Sequence, residues 1–235
     1  MIKEALQYIA GLANTRTEAI GDQIFSTQPV HLVRQARAEA IKVRSLSGMV
    51  EYLKSEFDGK TKLLIQVVSP TEVHAFGTFN RDLDRNYLIT ASALLPEFRY
   101  GNFYESEDFN IKLQSGFVPS HDRAAVLALV GNIREDAVKT VGDDGVSQSV
   151  TARTGVATVA PVPVPNPVTL QPFRTFVEVE QPESEFIFRI KQGPTCALFE
   201  ADGGAWKLEA MYRIKNYLLL ALEEKVNSGE IVIIA

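Results

Sequence analysis

At 235 residues, with 46% hydrophobic and 23% charged side chains, the chain can bury about seven tenths of its unfolded surface, which excludes wholesale disorder and fibrous architectures. Its net charge of −5 lacks the basic surplus with which proteins hold nucleic acid through phosphates. The single cysteine, Cys196, excludes an intrachain disulfide and a multi-cysteine zinc site and fits a reducing compartment, by default the cytoplasm.

Met1 to Gly11 carries Lys3 and Glu4 and reads as a short amphipathic helix with no export leader, Ile2, Leu6, Ile9 and Ala13 sharing a stripe. Thr15-Arg16-Thr17-Glu18 is a capping box that would restart a helix through Ile20 and Ile24. Residues 29–43 stay open between helix and strand. Leu46, Met49, Val50, Leu53 and Phe57 fall at helical spacing, with Asp58-Gly59 as the stop. Leu63 to Val68, Val73 to Phe79 and Tyr87 to Ala91 are apolar or β-branched runs broken by polar turns, a meander. The aromatic connection Phe98 to Tyr104 leads to a short helix over Glu107 to Leu113, and Ser120 caps a further helix with Val126, Leu129, Val130 and Ile133 on one stripe.

Val138 to Val141 and Val146 to Thr151 flank Gly142-Asp143-Asp144-Gly145, which predicts a projecting β-hairpin arm. The prolines at 161, 163, 165 and 167 predict a stiff polyproline connector. Val168 to Val179, Phe186 to Lys191 and Thr195 to Ala201 read as antiparallel strands. Asp202-Gly203-Gly204 opens the last helix, whose Leu208, Met211, Ile214, Leu218, Ala221 and Leu222 share a face widened by Leu219 and Leu220. Even its longest apolar run, Tyr217 to Leu222, is far short of the roughly 20 residues of a membrane span, so no membrane partner is expected. Glu230 to Ala235 is an apolar strand that pairs within the fold or with another chain.

The fold class expected is α+β, antiparallel sheets with flanking helices, a hairpin arm, and a long C-terminal helix before a short terminal strand. The divisions expected are a helical segment 1–28, an α+β region 29–160, the connector 161–167, and strands plus helix over 168–235, which can join 29–160 in one domain.

Ser120-His121-Asp122 holds the residue types of a hydrolase triad, but neighbours cannot converge, and a helix cap explains them. Glu200 and Asp202, two apart at a strand end, form the most enzyme-like pair, set against ordinary turn chemistry before two glycines. The acidic cluster Glu178, Glu180, Glu183 and Glu185 reads as a solvated loop, and Cys196 as a small core residue. His31, His74 and His121 lack zinc-site spacing, and Gly142 to Gly145 lacks the lysine of a phosphate loop, so no catalytic, cofactor or metal residue is assigned. Arg99 among the rings of Phe98 to Tyr104 allows base stacking, weighed against core packing or a protein interface.

The strings Pro167-Val168-Thr169-Leu170-Gln171-Pro172-Phe173-Arg174-Thr175-Phe176, Glu178-Val179-Glu180-Gln181-Pro182 and Ala197-Leu198-Phe199-Glu200-Ala201-Asp202-Gly203-Gly204-Ala205-Trp206 resemble the YfdQ-like family of phage and prophage proteins, a domain of unknown function. The resemblance extends through Phe117-Val118-Pro119-Ser120-His121 and less fully to Val43 to Tyr52, about residues 40 to 225. It implies a phage-encoded, non-virion protein of the bacterial cytoplasm and no reaction. The leading expectation is a non-enzymatic protein that self-associates into a homo-oligomeric ring or shell. The alternatives are an accessory protein binding a host factor or nucleic acid in counter-defence or DNA metabolism, and an enzyme on a small or nucleotide substrate using Glu200 and Asp202.

Overall fold

The computed structural model describes residues 2–12, 17–20, 23–26, 36–80, 82–133, 148–154, 158–191, 193 and 195–235. The chain divides into two compact units, Met1–Arg37 with Arg81–Leu83, and Ala38–Asn80 with Asp84–Ala235. In the first, α1 (Ile2–Leu12) carries Ile2, Leu6 and Ile9 exposed, and Ala13 lies outside the described residues. The expected restart of a helix at Thr15 is corrected: β1 (Thr17–Ile20) pairs antiparallel with β2 (Gln23–Ser26), Ile20 opposite Gln23. The Gly21-Asp22 dipeptide between two four-residue runs is a two-residue hairpin signature that outweighs the capping box.

The second unit is α+β. In chain order it holds β3 (Ile41–Val43), α2 (Leu46–Ser55), β4 (Leu63–Ser69), β5 (Glu72–Phe79), β6 (Arg85–Ser92), β7 (Tyr104–Glu105), α3 (Ser106–Gly116) and α4 (His121–Gly131). There follow β8 (Ser149–Thr154), β9 (Thr158–Pro163), β10 (Val168–Leu170), β11 (Ser184–Lys191), β12 (Thr195–Glu200), α5 (Trp206–Ala221), α6 (Glu223–Asn227) and β13 (Ile231–Ile234). The hairpin expected around Gly142 to Gly145 falls on 134–147, outside the described residues.

One sheet has the order β13-β4-β5-β6-β3. Its centre is the expected meander, and β13 and β3 add parallel strands at the edges. The terminal strand therefore pairs inside the fold. Alternation sends Ile65, Val67, Val73, Ala75, Ile89, Ala91, Ile231 and Ile233 to one face, where α2 and α5 cover them with Leu46, Met49, Val50, Leu53, Ile214, Leu218 and Leu222. Each such side chain, once buried, contributes about 1.5–3 kcal/mol. Ser45 caps α2, its Oγ accepting from Gly48 N, and Glu56 ends it in the left-handed conformation. That break rotates Phe57 out of the helical phase, so it is 80% exposed rather than part of the expected stripe.

A second core lies on the sheet β10-β11-β12-β7, whose Phe186, Phe188, Ile190, Cys196 and Leu198 meet Phe109, Leu113, Val126 and Val130 of α3 and α4. The first part of the expected polyproline connector, 161–163, is corrected to a strand, and 164–167 links it to β10: β9 runs antiparallel to β8 with Pro161 opposite Thr151 and Pro163 opposite Ser149. Val164 N donates to Gln148 O at 2.7 Å, so the hydrogen-bonded positions of β9 are the even ones. Every second residue being proline puts all the missing N–H groups on the outer rim, where an edge strand needs none. Gln148 joins this hairpin to the sheet: buried, it donates Nε2–H to Ile190 O at 2.7 Å, and its Oε1 accepts from Ile190 N at 3.0 Å.

The last helix buries Ala210, Ile214, Leu218 and Leu222 at a spacing of four. Met211, Leu219 and Ala221 of the expected face pack partly buried beside them, whereas Leu208, at 74%, and Leu220, at 77%, are exposed and are corrected.

Candidate functional site

The three strings that carry the resemblance meet at Arg174, the second through its backbone N–H and the third through its guanidinium. Arg174 follows β10 in a loop, and its side chain is 7% exposed. Its Nη1 donates to Glu200 Oε1 at 3.1 Å, and its Nη2 donates to Ser184 Oγ and lies 4.0 Å from Asp202 Oδ2. Ser184 Oγ in turn donates to Asp202 Oδ2 at 2.5 Å. The guanidinium lies flat enough on Trp206 for Cζ to sit 3.9 Å from the ring centroid, a cation–π contact.

Burial pushes the Arg174 pKa down, opposed by Tyr100, Asp202 and Glu200. Burial also pushes the Tyr100 phenol up, so it stays neutral beside the guanidinium. For Asp202 burial disfavours the charge, but the Ser184 hydroxyl, the Gly204 and Trp206 amides and Arg174 offset it and hold the carboxyl below its ordinary value. Asp202 can turn back this way because Gly203 and Gly204 both take positive φ, 62° and 82°, which residues with a Cβ rarely adopt.

Behind Arg174 the loop is held by Gln181, whose buried amide is used fully. Its Oε1 accepts from Arg174 N at 3.0 Å and Thr175 N at 3.2 Å, and its Nε2 donates to Phe176 O at 3.1 Å and Val179 O at 3.2 Å. Phe176 and Val179 then enter the first core, Thr175 Oγ1 donates to Pro70 O at 2.5 Å, and Glu178 Oε1 accepts from Ser47 N at 3.2 Å at the start of α2. The segment 174–181 thus ties the two sheets together.

The structure brings Glu200 and Asp202 to a common cation, Glu200 Oε1 accepting from Arg174 and Asp202 Oδ2 from Ser184. The acidic cluster does not converge: Glu178 caps α2, Glu180 Oε2 pairs with Arg213 at 2.8 Å, and Glu183 and Glu185 are exposed. Ser120 is a cap, its Oγ accepting from Arg123 N at 3.1 Å, and Asp122 Oδ2 accepts from Thr169 N at 2.8 Å, closing the free edge of β10. His74 lies on the sheet beside Glu72, 2.8 Å from Nε2 to Oε1, His121 begins α4, and His31 lies outside the described residues. Among the described residues no group of three His, Cys, Asp or Glu could hold a metal ion, and none of their helices is long and apolar enough to cross a membrane. Cys196 is fully buried, which pushes its thiol up to about 12.

The rings of Phe98 to Tyr104 are turned on the protein's own aromatics. Phe98 meets Tyr100, Tyr104, Phe109 and Phe117 at 5.1–6.3 Å, and Tyr100 stacks on Phe186 at 5.3 Å. A separate cleft of about 270 Å³ opens beside the start of β13, and there Lys225 Nζ is shared by Glu56 at 2.6 Å and Glu230 at 3.3 Å. Arg174, Gln181, Trp206 and Lys225 were not among the residues singled out from sequence. The one available signal was a lone arginine inside Leu170-Gln171-Pro172-Phe173-Arg174-Thr175-Phe176, since a charge in an apolar run is buried only with partners.

No family model, no curated protein and no solved structure matches the chain.

Proposed function

We propose that the chain is a non-enzymatic, self-associating protein of the YfdQ-like phage and prophage family, acting in the bacterial host cytoplasm as one copy of a homo-oligomeric assembly. The observation that supports this most is the second face of the five-stranded sheet. Both helices of that core pack on one side, and the other presents Leu64, Val68, Phe79, Tyr87, Val232 and Ile234, half-buried or exposed, around a polar row of Gln66, His74 and Thr90. Uncovered apolar side chains within a polar setting on a sheet face favour an interaction there. Membership of the family is proposed on the resemblance of the strings within residues 40 to 225.

Light scattering coupled to size exclusion at low and high salt tests the proposal. A discrete multiple of 26 kDa is expected, held or strengthened by salt, because copies carrying −5 each repel less when screened while apolar contact is retained. A monomer at micromolar concentration, or an oligomer that salt dissolves, refutes it.

A further inference from the structure

The cleft beside the start of β13 lies apart from Arg174, and its chemistry can be read without reference to self-association. We propose that this cleft, of about 270 Å³, binds a small ring-bearing phosphate of nucleoside monophosphate size, with the ring on Phe57 and the phosphoryl group at Lys60 to Lys62.

The cleft forms where α2 ends against the entries to β4 and β13, and Leu53, Leu63, Leu88 and Ile231 supply its apolar lining. Glu56 closes α2 at φ 52°, a conformation uncommon for a residue with a side chain, and such positions gather at ligand sites. Its carboxylate is held from two sides, Oε1 by Lys225 at 2.6 Å and Oε2 by Lys60 at 3.3 Å. The break turns Phe57 out to the cleft with 80% of its surface exposed. A ring so placed beside apolar side chains offers a stacking face to a flat ligand.

Pairing decides which charge in the cleft is left unanswered. Three lysines and three carboxylates line it. Each carboxylate already has a donor: Glu56 has Lys225 and Lys60, Glu230 has Lys225 at 3.3 Å, and Asp58 Oδ2 accepts from the Tyr52 hydroxyl. Lys62 has no hydrogen bond or ion pair among the described residues, and Lys60, 73% exposed, is held only by a solvent-screened pair. Between them the Thr61 hydroxyl and the amides of Lys60, Thr61 and Lys62 are also without acceptors among the described residues. The unused groups are therefore donors on three consecutive residues, two of them with cationic side chains. That set suits a phosphoryl group, whose three oxygens accept strongly, better than a carboxylate. The volume falls just below the range of about 300–1,000 Å³ typical of drug-sized sites, which fits one ring system with one phosphoryl group rather than a strand of nucleic acid.

Isothermal titration calorimetry of the full chain with AMP, adenosine and inorganic phosphate tests the site. AMP is expected to bind, more weakly as salt rises, with adenosine and phosphate each weaker by about tenfold or more. Lys62→Gln should weaken AMP about tenfold and flatten its salt dependence. Phe57→Ala should weaken AMP about fivefold or more, the loss of one stacked ring, and leave the salt dependence as it was. Both side chains are exposed, and circular dichroism matching the parent separates lost binding from lost fold. Absence of AMP binding at millimolar concentration overturns the proposal, as does AMP binding that survives both substitutions. Adenosine or phosphate binding as tightly as AMP overturns the pairing of ring and phosphoryl group. The scattering mass is read separately, so each of these results leaves the self-association reading to its own test.

Discussion

Replacing Gln181 with alanine removes four hydrogen bonds at once while deleting little apolar surface, which makes it the sharpest probe of the segment joining the two sheets. The substitution strands Arg174 N–H, Thr175 N–H, Phe176 C=O and Val179 C=O in a buried loop. A typical hydrogen bond contributes about 0.5–1.5 kcal/mol net, and a buried group left unsatisfied costs about 1–3 kcal/mol. Four coupled bonds at about 1 kcal/mol each give a loss on the order of 4 kcal/mol, a drop of roughly 8–16 °C in Tm for a chain of this size. Gln181→Glu is the internal control, because a buried carboxylate still accepts from the two amides but sets a charge against the two carbonyls, so at neutral pH it should unfold no later than alanine and recover part of the loss in acid, where its protonated oxygen supplies one donor. Thermal unfolding followed by circular dichroism at one fixed protein concentration measures all three, since association alters apparent stability. A Gln181→Ala midpoint within about 2 °C of the parent would refute the view that this amide holds the loop.

Gln148→Ala should cost about 2–3 kcal/mol and speed hydrogen exchange at the Ile190 amide above all others in β11, because Gln148 is the partner of both Ile190 backbone groups. Asp202 lies below the ordinary aspartate range when folded, so its contribution is present above about pH 4 and lost as pH falls through the depressed value. Asp202→Asn should be less stable than the parent at neutral pH, with a shallower loss in urea midpoint below about pH 4; parallel curves would refute this. Cys196, with its thiol at about 12, should react with Ellman's reagent at pH 8 only after denaturant is added, and rapid labelling of the native protein would contradict its burial.

Much of the fold was legible because local signals and tertiary need agreed. Ser120 announced one helix by capping chemistry, the spacing of Leu46, Met49, Val50 and Leu53 announced another, and the three apolar or β-branched runs from Leu63 to Ala91 stood apart at their polar turns as a meander's strands must. Where the two parted, reading failed. Alternate prolines favour polyproline helix in isolation, yet the same spacing suits a rim that needs no donors, and only the pairing partner distinguishes them. Leu219 and Leu220 promised a broad buried face, but burial at a spacing of four left Leu220 outside. The candidate site was half visible: Glu200 and Asp202 stood out as carboxylates, while the cation that engages them lies 26 residues from Glu200, a separation no periodicity reports. Gln181 carried no signal, since an amide reveals its worth only when its four partners are placed.

The rim of β9 lacks its outward N–H at Pro161 and Pro163. A strand arriving there would find carbonyls to donate to but no amide to answer its own carbonyls at those two positions, so each attempted ladder would begin with unmet acceptors. The same residues that let β9 pair inward with β8 thus make the hairpin a poor template for any further strand, a refusal written into the backbone and independent of charge or bulk.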